Sequence, residues 1–371
     1  MSKAAELAAL IGGTSGSSLS NRNLIINGAM ACFQRAASSS TSQEYVADRF
    51  RNEFSGASVT TSRETLSSGS PYDEGFRHFI RNSNTSVSSA TSAYVYHVHL
   101  IEAQNIASSG WQYASASSYL TLQFWVRSSL AGTYYVLMET QDGSPNKTYS
   151  FTYTVSADTW TKVTHTFPGD SGITINNDSG AGYRINFVAY LGTDFSTSGH
   201  TNEAWQTFSI SDLVGDFSQN WANTASATFD ITGVQLEVGE QATPFEHEPY
   251  GVTLQKAKRY YSEITGTESG NAGDGGFVTV PNWNGGTFYV SLSFPVEMRS
   301  APSFSYGAAL SDFTVLENNS TTNPTNITLN GANKNGCELT LFTSSFGSAG
   351  NAAWVRISDN ANGYIAFDAE L

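Results

Sequence analysis

The 371-residue sequence predicts an all-β protein: a short N-terminal helix, a jelly-roll β-sandwich, a linking helix and a second, smaller C-terminal β-sandwich. Three observations predict it. Runs of Val, Ile, Thr, Tyr and Phe recur as short alternating segments along most of the chain. Clusters of Gly, Asn, Asp and Ser separate them at turn spacing. Charged residues are 13% of the chain, against ~25% in an average soluble domain, which leaves Ser, Thr, Asn and Gly to cover the surface.

The first segment is residues 1–22. Ala4, Leu7, Ala8 and Ile11 fall at helical spacing, Ser2 is a suitable N-cap, and Gly12-Gly13 stop the helix ahead of a Gly/Ser-rich linker. A helix this short is marginal alone, so its apolar stripe calls for a partner. Residues 23–250 read as one long β-module. Strands are expected at Ser58–Thr65, Phe76–Arg81, Tyr94–Ile101, Tyr119–Arg127, Thr133–Thr140, Lys147–Val155, Thr161–Phe167, Tyr183–Tyr190 and Phe229–Glu237. In Tyr119–Arg127 the alternation is clean, with Leu120, Leu122, Phe124 and Val126 on one face. The closing strand carries Ile231, Val234, Leu236 and Val238. A bulge is expected at Gly233, and an end to the ladder at Pro244, which has no N–H to donate. Short strands at this spacing predict a sandwich, and the length favours a jelly roll.

Residues 251–266 are read as the linking helix, spanning Thr253–Ile264 with Leu254, Ala257 and Tyr261 in one stripe between Pro249 and Gly266. Residues 267–371 return to β. Strands are expected near Gly276–Val280, Thr287–Phe294, Pro302–Tyr306, Glu338–Phe342 and Ala353–Ile357, with a last one from Tyr364 to Leu371. The chain shows no strict repeat and no long heptad run.

Lys and Arg number 18 against 32 Asp and Glu, a formal charge of −14. Such a field repels nucleic-acid phosphates and bare anionic membranes. Cys32 and Cys337 read as small buried apolar residues rather than a disulfide. With no signal-peptide pattern and no apolar run of ~18 residues, the expectation is synthesis in a reducing cytoplasm without membrane insertion. The sequence carries no GxSxG, HExxH, P-loop or dinucleotide fingerprint. His97 and His99 share a strand face and could chelate a metal, but with no third ligand in view they read as structural. Glu237, Glu240, Glu246 and Glu248 supply carboxylates for a glycosidase pair, but spacing alone sets no cleft between them, and no enzymatic activity is expected.

Several blocks resemble bacteriophage tail-fibre proteins of the marine and cyanophage type, whose bodies are carbohydrate-binding-module-like jelly rolls. Asn23–Phe33 (NLIINGAMACF), continued by Gln34-Arg35 and Tyr45–Phe50 (YVADRF), is similar to the opening of that module. Thr121–Arg127 (TLQFWVR) and Ile231–Phe245 (ITGVQLEVGEQATPF) resemble its middle and closing strands. Phe294–Pro302 (FPVEMRSAP), Phe367–Leu371 (FDAEL) and the N-terminal SKAAELAALIG resemble its flanks. The chain departs from the family at Glu248, where a basic residue is usual, and near Ala257, where a cysteine is common. The resemblance implies a virion tail protein made in the host cytoplasm: a homotrimer held to a tail or baseplate protein by residues 1–22, binding host surface polysaccharide without cutting it. A polysaccharide-degrading tail enzyme or its carbohydrate-binding module, and a head fibre or decoration protein, remain as alternatives.

Glycan contact needs aromatic faces for sugar C–H groups and amides for hydroxyls. Trp283, flanked by Asn282 and Asn284 in a turn-like tip, fits that need, as does Trp221 beside Gln219, Asn220 and Asn223. Trp125 and Trp160 fall within strand patterns and read as core. Because related jelly rolls often hold a structural calcium, Asn27, Asp48, Asp230 and Glu237 are candidate ligands, weighed against a reading as capping or surface groups.

Overall fold

The computed structural model describes residues 21–266, 276–307, 309–357 and 363–371, and the helix expected around Ala4, Leu7, Ala8 and Ile11 lies outside them. The chain divides into two units, Met1–Thr253 with Leu371, and Leu254–Glu370. Strands dominate both, as the alternation predicts.

In the first unit the strands are β1 (Ser38–Ser39), β2 (Tyr45–Ala47), β3 (Phe50–Ser55), β4 (Ser58–Thr65), β5 (His78–Ser86), β6 (Tyr94–Glu102), β7 (Tyr119–Ser128), β8 (Gly132–Thr140), β9 (Lys147–Val155), β10 (Thr161–Pro168), β11 (Ala181–Leu191), β12 (Gln206–Thr207) and β13 (Thr228–Val238). They form a six-stranded sheet, β1-β4-β5-β13-β7-β10, and a seven-stranded sheet, β12-β9-β8-β11-β6-β3-β2. The chain passes back and forth between the two, as in a jelly roll. Short helices α1 (Ser70–Asp73) and α2 (Ala103–Ala107) interrupt the strands.

Period-two patterning fills the space between the sheets. Leu120, Leu122, Phe124 and Val126 of β7 are fully buried and share a core with Tyr134, Val136 and Met138 of β8 and with Phe151 and Phe187. Each such side chain contributes about 1.5–3 kcal/mol by leaving water. Trp221 lies in this same core, fully buried. A buried polar chain also crosses the interior: Asn52 of β3 donates to Thr61 of β4 (2.8 Å), which donates to Asn82 of β5 (2.7 Å).

Two expectations for this unit need correction. The strand placed at Phe76–Arg81 begins at His78 and runs to Ser86, because Pro71 starts α1 and Phe76 closes its last turn onto the Pro71 carbonyl. The ladder of β13 does not run to Pro244. It stops at Val238, paired with Leu120, because its partner β7 begins one residue earlier at Tyr119. The expected bulge is present: the β13–β7 register shifts between Thr232 and Gln235, with Gly233 at φ +63°.

Helix α3 (Tyr250–Lys258) follows, three residues earlier than expected and ending sooner. Tyr261 is not helical; it opens strand β14 (Tyr261–Thr265), which pairs with β23 (Tyr364–Asp368), the last strand of the chain. Aromatic and β-branched residues suit that pairing, and the tertiary partner overrides the helical spacing of Leu254, Ala257 and Tyr261.

The second unit also contains β15 (Gly276–Pro281), β16 (Thr287–Ser293), β17 (Ser303–Tyr306), β18 (Phe313–Glu317), β19 (Ser320–Thr322), β20 (Asn326–Ala332), β21 (Gly336–Phe342) and β22 (Ala352–Ile357). They form three small sheets, β14-β23-β17, β15-β22-β18-β19 and β16-β21-β20. Phe288, Val290, Met298, Phe313, Leu339, Leu341, Val355 and Phe367 make one core from all three. Among the described residues no helix is long and apolar enough to cross a membrane. Cys32 and Cys337 are both buried free thiols.

Candidate functional site

The polar residues at the start and the end of the first unit's body are held by two internal hydrogen-bond clusters. Asn27 sits at φ +63°; its amide donates to the Cys32 and Asp48 carbonyls (both 2.9 Å) and accepts from the Ala31 and Cys32 N–H groups (both 2.9 Å). Asp48 accepts from the Gln34 side chain (2.9 Å), the Gln34 N–H (3.2 Å) and the Cys32 thiol (3.0 Å). At the other end of the module Glu237 accepts from Gln235, from the Thr243 N–H (2.8 Å) and from the Thr243 hydroxyl (2.7 Å). Glu246 accepts the backbone N–H groups of Asn21, Arg22 and Asn23, so the ATPFE stretch ties the start of the body to its closing strand.

Of the two readings of Asn27, Asp48, Asp230 and Glu237, the hydrogen bonds favour capping groups over calcium ligands. Asp230 is fully buried between Arg81 (2.7 and 2.9 Å) and Arg127 (2.7 and 2.8 Å). The oxygens of all four residues already face protein donors, and a hard cation would have to displace them. Among the described residues no group of three His, Cys, Asp or Glu side chains forms a ligand set. His97 and His99 point into the sandwich on the same face as Val95 and Ile101. Burial pushes the His97 pKa down to about 3 and that of His99 well below its ordinary value, so both rings are neutral.

The tryptophans separate by exposure. Trp221 is 0% exposed and cannot offer a ring face to a ligand, which corrects the tip reading. Trp125 is buried on the outer face of the six-stranded sheet with Phe76 and Phe79; Trp160 is half-buried beside them, in the turn before β10 rather than within a strand. Trp283 is 67% exposed.

Its loop is braced from inside. Asn282 is buried, so it is a strut and not a contact. Its amide accepts from the Gly285 (2.7 Å) and Gly286 (3.1 Å) N–H groups and donates to the Phe346 carbonyl (2.7 Å) and to Glu317 (2.9 Å). Glu317, only 3% exposed, also accepts from the Ser348 N–H (2.8 Å) and Asn351 (2.7 Å). Burial works against its ionisation, but these donors outweigh it and hold the carboxyl below the ordinary range. The network fixes Trp283 edge-on to the exposed Tyr289, with ring centroids 6.0 Å apart and planes at 80°. Asn284 is exposed beside them. Two open ring faces next to an amide with free hydrogen-bonding capacity can take the C–H face and hydroxyls of a sugar.

Sequence reasoning missed two polar clusters on the outer face of the seven-stranded sheet. In one, Glu53 joins Arg51 to Arg184 (2.8 Å); Arg184 donates to Asn186 (2.7 Å), which donates to Glu139 (2.6 Å), while the Tyr96 hydroxyl donates to Glu53 (3.1 Å). Alternate strand residues of opposite charge are the signal, though only the sheet order shows that they are neighbours. In the other, Ser150 Oγ lies 2.6 Å from His200 Nε2, and His200 Nδ1 lies 2.8 Å from Asp212. That is the order of a nucleophile, base and orienting acid. Ser150 is 1% exposed, however, and as it stands the trio pins the covering loop to β9.

No family model and no curated protein matches the chain. Among solved structures it is similar to the enzymatically active domain of tailspike protein 4 of bacteriophage CBA120, at 13% identity over 59% of this chain, with a TM-score of 0.33. That match spans 22% of the tailspike chain. It is also similar to the family 11 carbohydrate-binding module of a Clostridium thermocellum cellulosomal cellulase (13% identity, 56% of this chain and 98% of that one, TM-score 0.28). A xylan-binding domain from Paenibacillus barcinonensis is similar at 10% identity (54% and 92%, TM-score 0.28). Likenesses this distant carry neither a family nor an activity.

Proposed function

We propose that this chain is a non-catalytic subunit of a phage tail fibre. In this reading it is held to the tail by residues 1–22, works as a homotrimer, and touches host surface polysaccharide through its C-terminal unit. The observation that carries the reading is the Trp283–Tyr289 pair: a large apolar surface left in water on a loop braced by a buried carboxylate network. Holding such rings outward costs hydrophobic free energy that packing them inside would recover, which fits a surface that gains its partner later. The blocks that resemble tail-fibre sequences, such as Asn23–Phe33 and Ile231–Phe245, support the virion context. Symmetry adds a use for a weak site, since three copies on a repetitive polymer gain avidity without new contacts.

The test is adsorption of the purified protein to host cells and to their extracted polysaccharide. Trp283→Ala should reduce retention at least tenfold with no new reducing ends appearing for either protein. Undiminished binding by that variant would overturn the assignment of the contact, and release of reducing ends would overturn the non-catalytic part.

A second reading, an ester hydrolase, rests on Ser150, His200 and Asp212. Turnover would require the loop over Ser150 to open and its hydroxyl to leave Asn202 (3.1 Å), Ser150 Oγ to attack the ester carbonyl, its proton to pass to His200 and on to the leaving alcohol, and a water deprotonated by His200 to hydrolyse the acyl-enzyme and regenerate Ser150. Hydrolysis of p-nitrophenyl acetate by the wild type and not by Ser150→Ala supports it; equal rates dismiss it.

A further inference from the structure

The six-stranded sheet carries an open groove of about 620 Å³ on its outer face, lined by Glu74, Gln123, Lys162, Thr164, residues 242–245 and His247. We propose that this groove is a second saccharide subsite, one that takes a neutral oligosaccharide. The proposal deepens the glycan-binding reading and rests on it.

The floor follows from strand register. Gln123 faces Thr164 across the β7–β10 ladder, and Trp125 faces Lys162 on the next rung of the same face. The opposite face of both strands is spent on the core through Leu122, Phe124, Val163 and Phe167; on this face Gln123 and Trp125 are covered, while Lys162 and Thr164 meet solvent. One wall is built by the closing motif. Glu237 fixes Thr243 through its N–H and hydroxyl, the Gln123 amide donates to the Thr243 carbonyl (2.6 Å), and Pro244 and His247 stand exposed on the rim with Phe245 partly buried between them. The other wall is Glu74, whose carboxylate accepts the Trp125 indole N–H (3.1 Å) and pairs with Lys162 (2.9 Å).

The chemistry of this lining selects a ligand class. Glu74 and Lys162 are 39% and 36% exposed and neutralise one another, so the groove presents no net charge. An anion would have to displace Glu74 from Lys162 and cross the field of a chain carrying −14, and a cation would have to displace Lys162 from Glu74. A hydroxyl does not break it, because one hydroxyl can donate to the carboxylate while accepting from the ammonium. The Thr164 hydroxyl adds a further position of either sense, and the Pro244, Phe245 and His247 rings supply apolar surface for a sugar's C–H face. A neutral, polyhydroxylated ring meets each of these demands at once.

The test uses the full chain and neutral trisaccharides of gluco, galacto and manno configuration, read by the indole N–H resonance of Trp125 in a ¹H–¹⁵N spectrum. That proton is bonded to Glu74 under the groove and reports there, not at Trp283. The expected result is a saturable shift of this resonance with at least one trisaccharide. Lys162→Met should weaken it at least fivefold, and Thr164→Trp, which fills the groove from an exposed position, should abolish it, while Trp283→Ala leaves it unchanged. If trisaccharide binding is seen but moves only Trp283, the groove proposal is overturned and the glycan-binding reading stands. If neither resonance moves with sugars while whole polysaccharide is still retained through Trp283, the groove is again excluded; if nothing binds, both fall.

Discussion

Replacing Glu317 by Gln should loosen the Trp283 loop without touching Trp283 itself. In the wild type one buried carboxylate accepts three hydrogen bonds, from Asn282 (2.9 Å), the Ser348 N–H (2.8 Å) and Asn351 (2.7 Å), and so joins three stretches of chain. A Gln keeps one acceptor oxygen and turns an NH₂ toward a group that also donates. The loss of charge assistance and one clashing donor together cost about 2–4 kcal/mol. The pH dependence has a definite sign. The folded-state pKa lies below the ordinary value of 4.5, so the ionised form is the stabilising one. Its contribution is complete above that ordinary value and drains away as pH falls through the lower, folded-state value. Hydrogen exchange at Gly285 and Gly286 reads the loop directly, since both amides bond Asn282. At pH 7 the variant should exchange these amides at least tenfold faster than the wild type, and the gap in stability should narrow below about pH 4. A gap that stays constant from pH 7 to pH 3, or unchanged protection of the two glycines, would refute the carboxylate as the brace.

Trp221→Ala should cost about 3–5 kcal/mol in urea unfolding of the first unit, whereas Trp283→Ala should change stability by less than about 0.5 kcal/mol; similar losses for both would contradict their opposite exposures. Gly233→Ala forces a side chain into φ +63° and sets its Cβ 2.8 Å from the Phe76 ring, so stability should fall by about 2–4 kcal/mol, read as a lower denaturation midpoint at constant m-value. Asp230→Ala leaves Arg81 and Arg127 facing each other; water reaches both guanidinium groups, which trims the penalty to about 2–4 kcal/mol, measurable as a lower melting temperature.

Most of the long strands were legible to within a residue or two, though the strand read at Phe76–Arg81 runs on to Ser86 and β3 (Phe50–Ser55) was not read. Ser58–Thr65 and Lys147–Val155 come out with the bounds read from alternation alone. The longest stretch that escaped was the segment 313–332, where β18, β19 and β20 lie; the short strands β1, β2, β3 and β12 escaped as well. Its signal was there in Asn318-Asn319, both at positive φ between the paired Glu317 and Ser320, an Asn-rich hairpin turn that a search for Gly-based turns passes over. The helix misplaced at Thr253–Ile264 failed for the opposite reason. A three-residue stripe fits a helical period by chance easily, and the pairing of Tyr261–Thr265 with a strand a hundred residues away is invisible locally.

The site was legible only in part, and the tryptophans show why. Trp221 and Trp283 both sit among amides in turn-like sequence, yet one is sealed in the first core and the other stands in water. Local composition describes what a residue is beside along the chain; exposure depends on what distant strands bring over it. The same logic separates motif from contact surface. Asn27 and Asp48 in turns and Glu237 in β13 are buried and obliged to find internal partners, and the half-buried Glu246 is engaged by three backbone N–H groups. Their hydrogen-bonding capacity is used up inside the fold. A surface that binds from outside must keep some of that capacity in water, as Asn284 does beside Trp283 and as the exposed Glu74–Lys162 pair does above Trp125. Contacts with a partner should therefore be sought among residues that the conspicuous motifs position, and mutations in the motifs should act on binding only through the stability of the walls they hold.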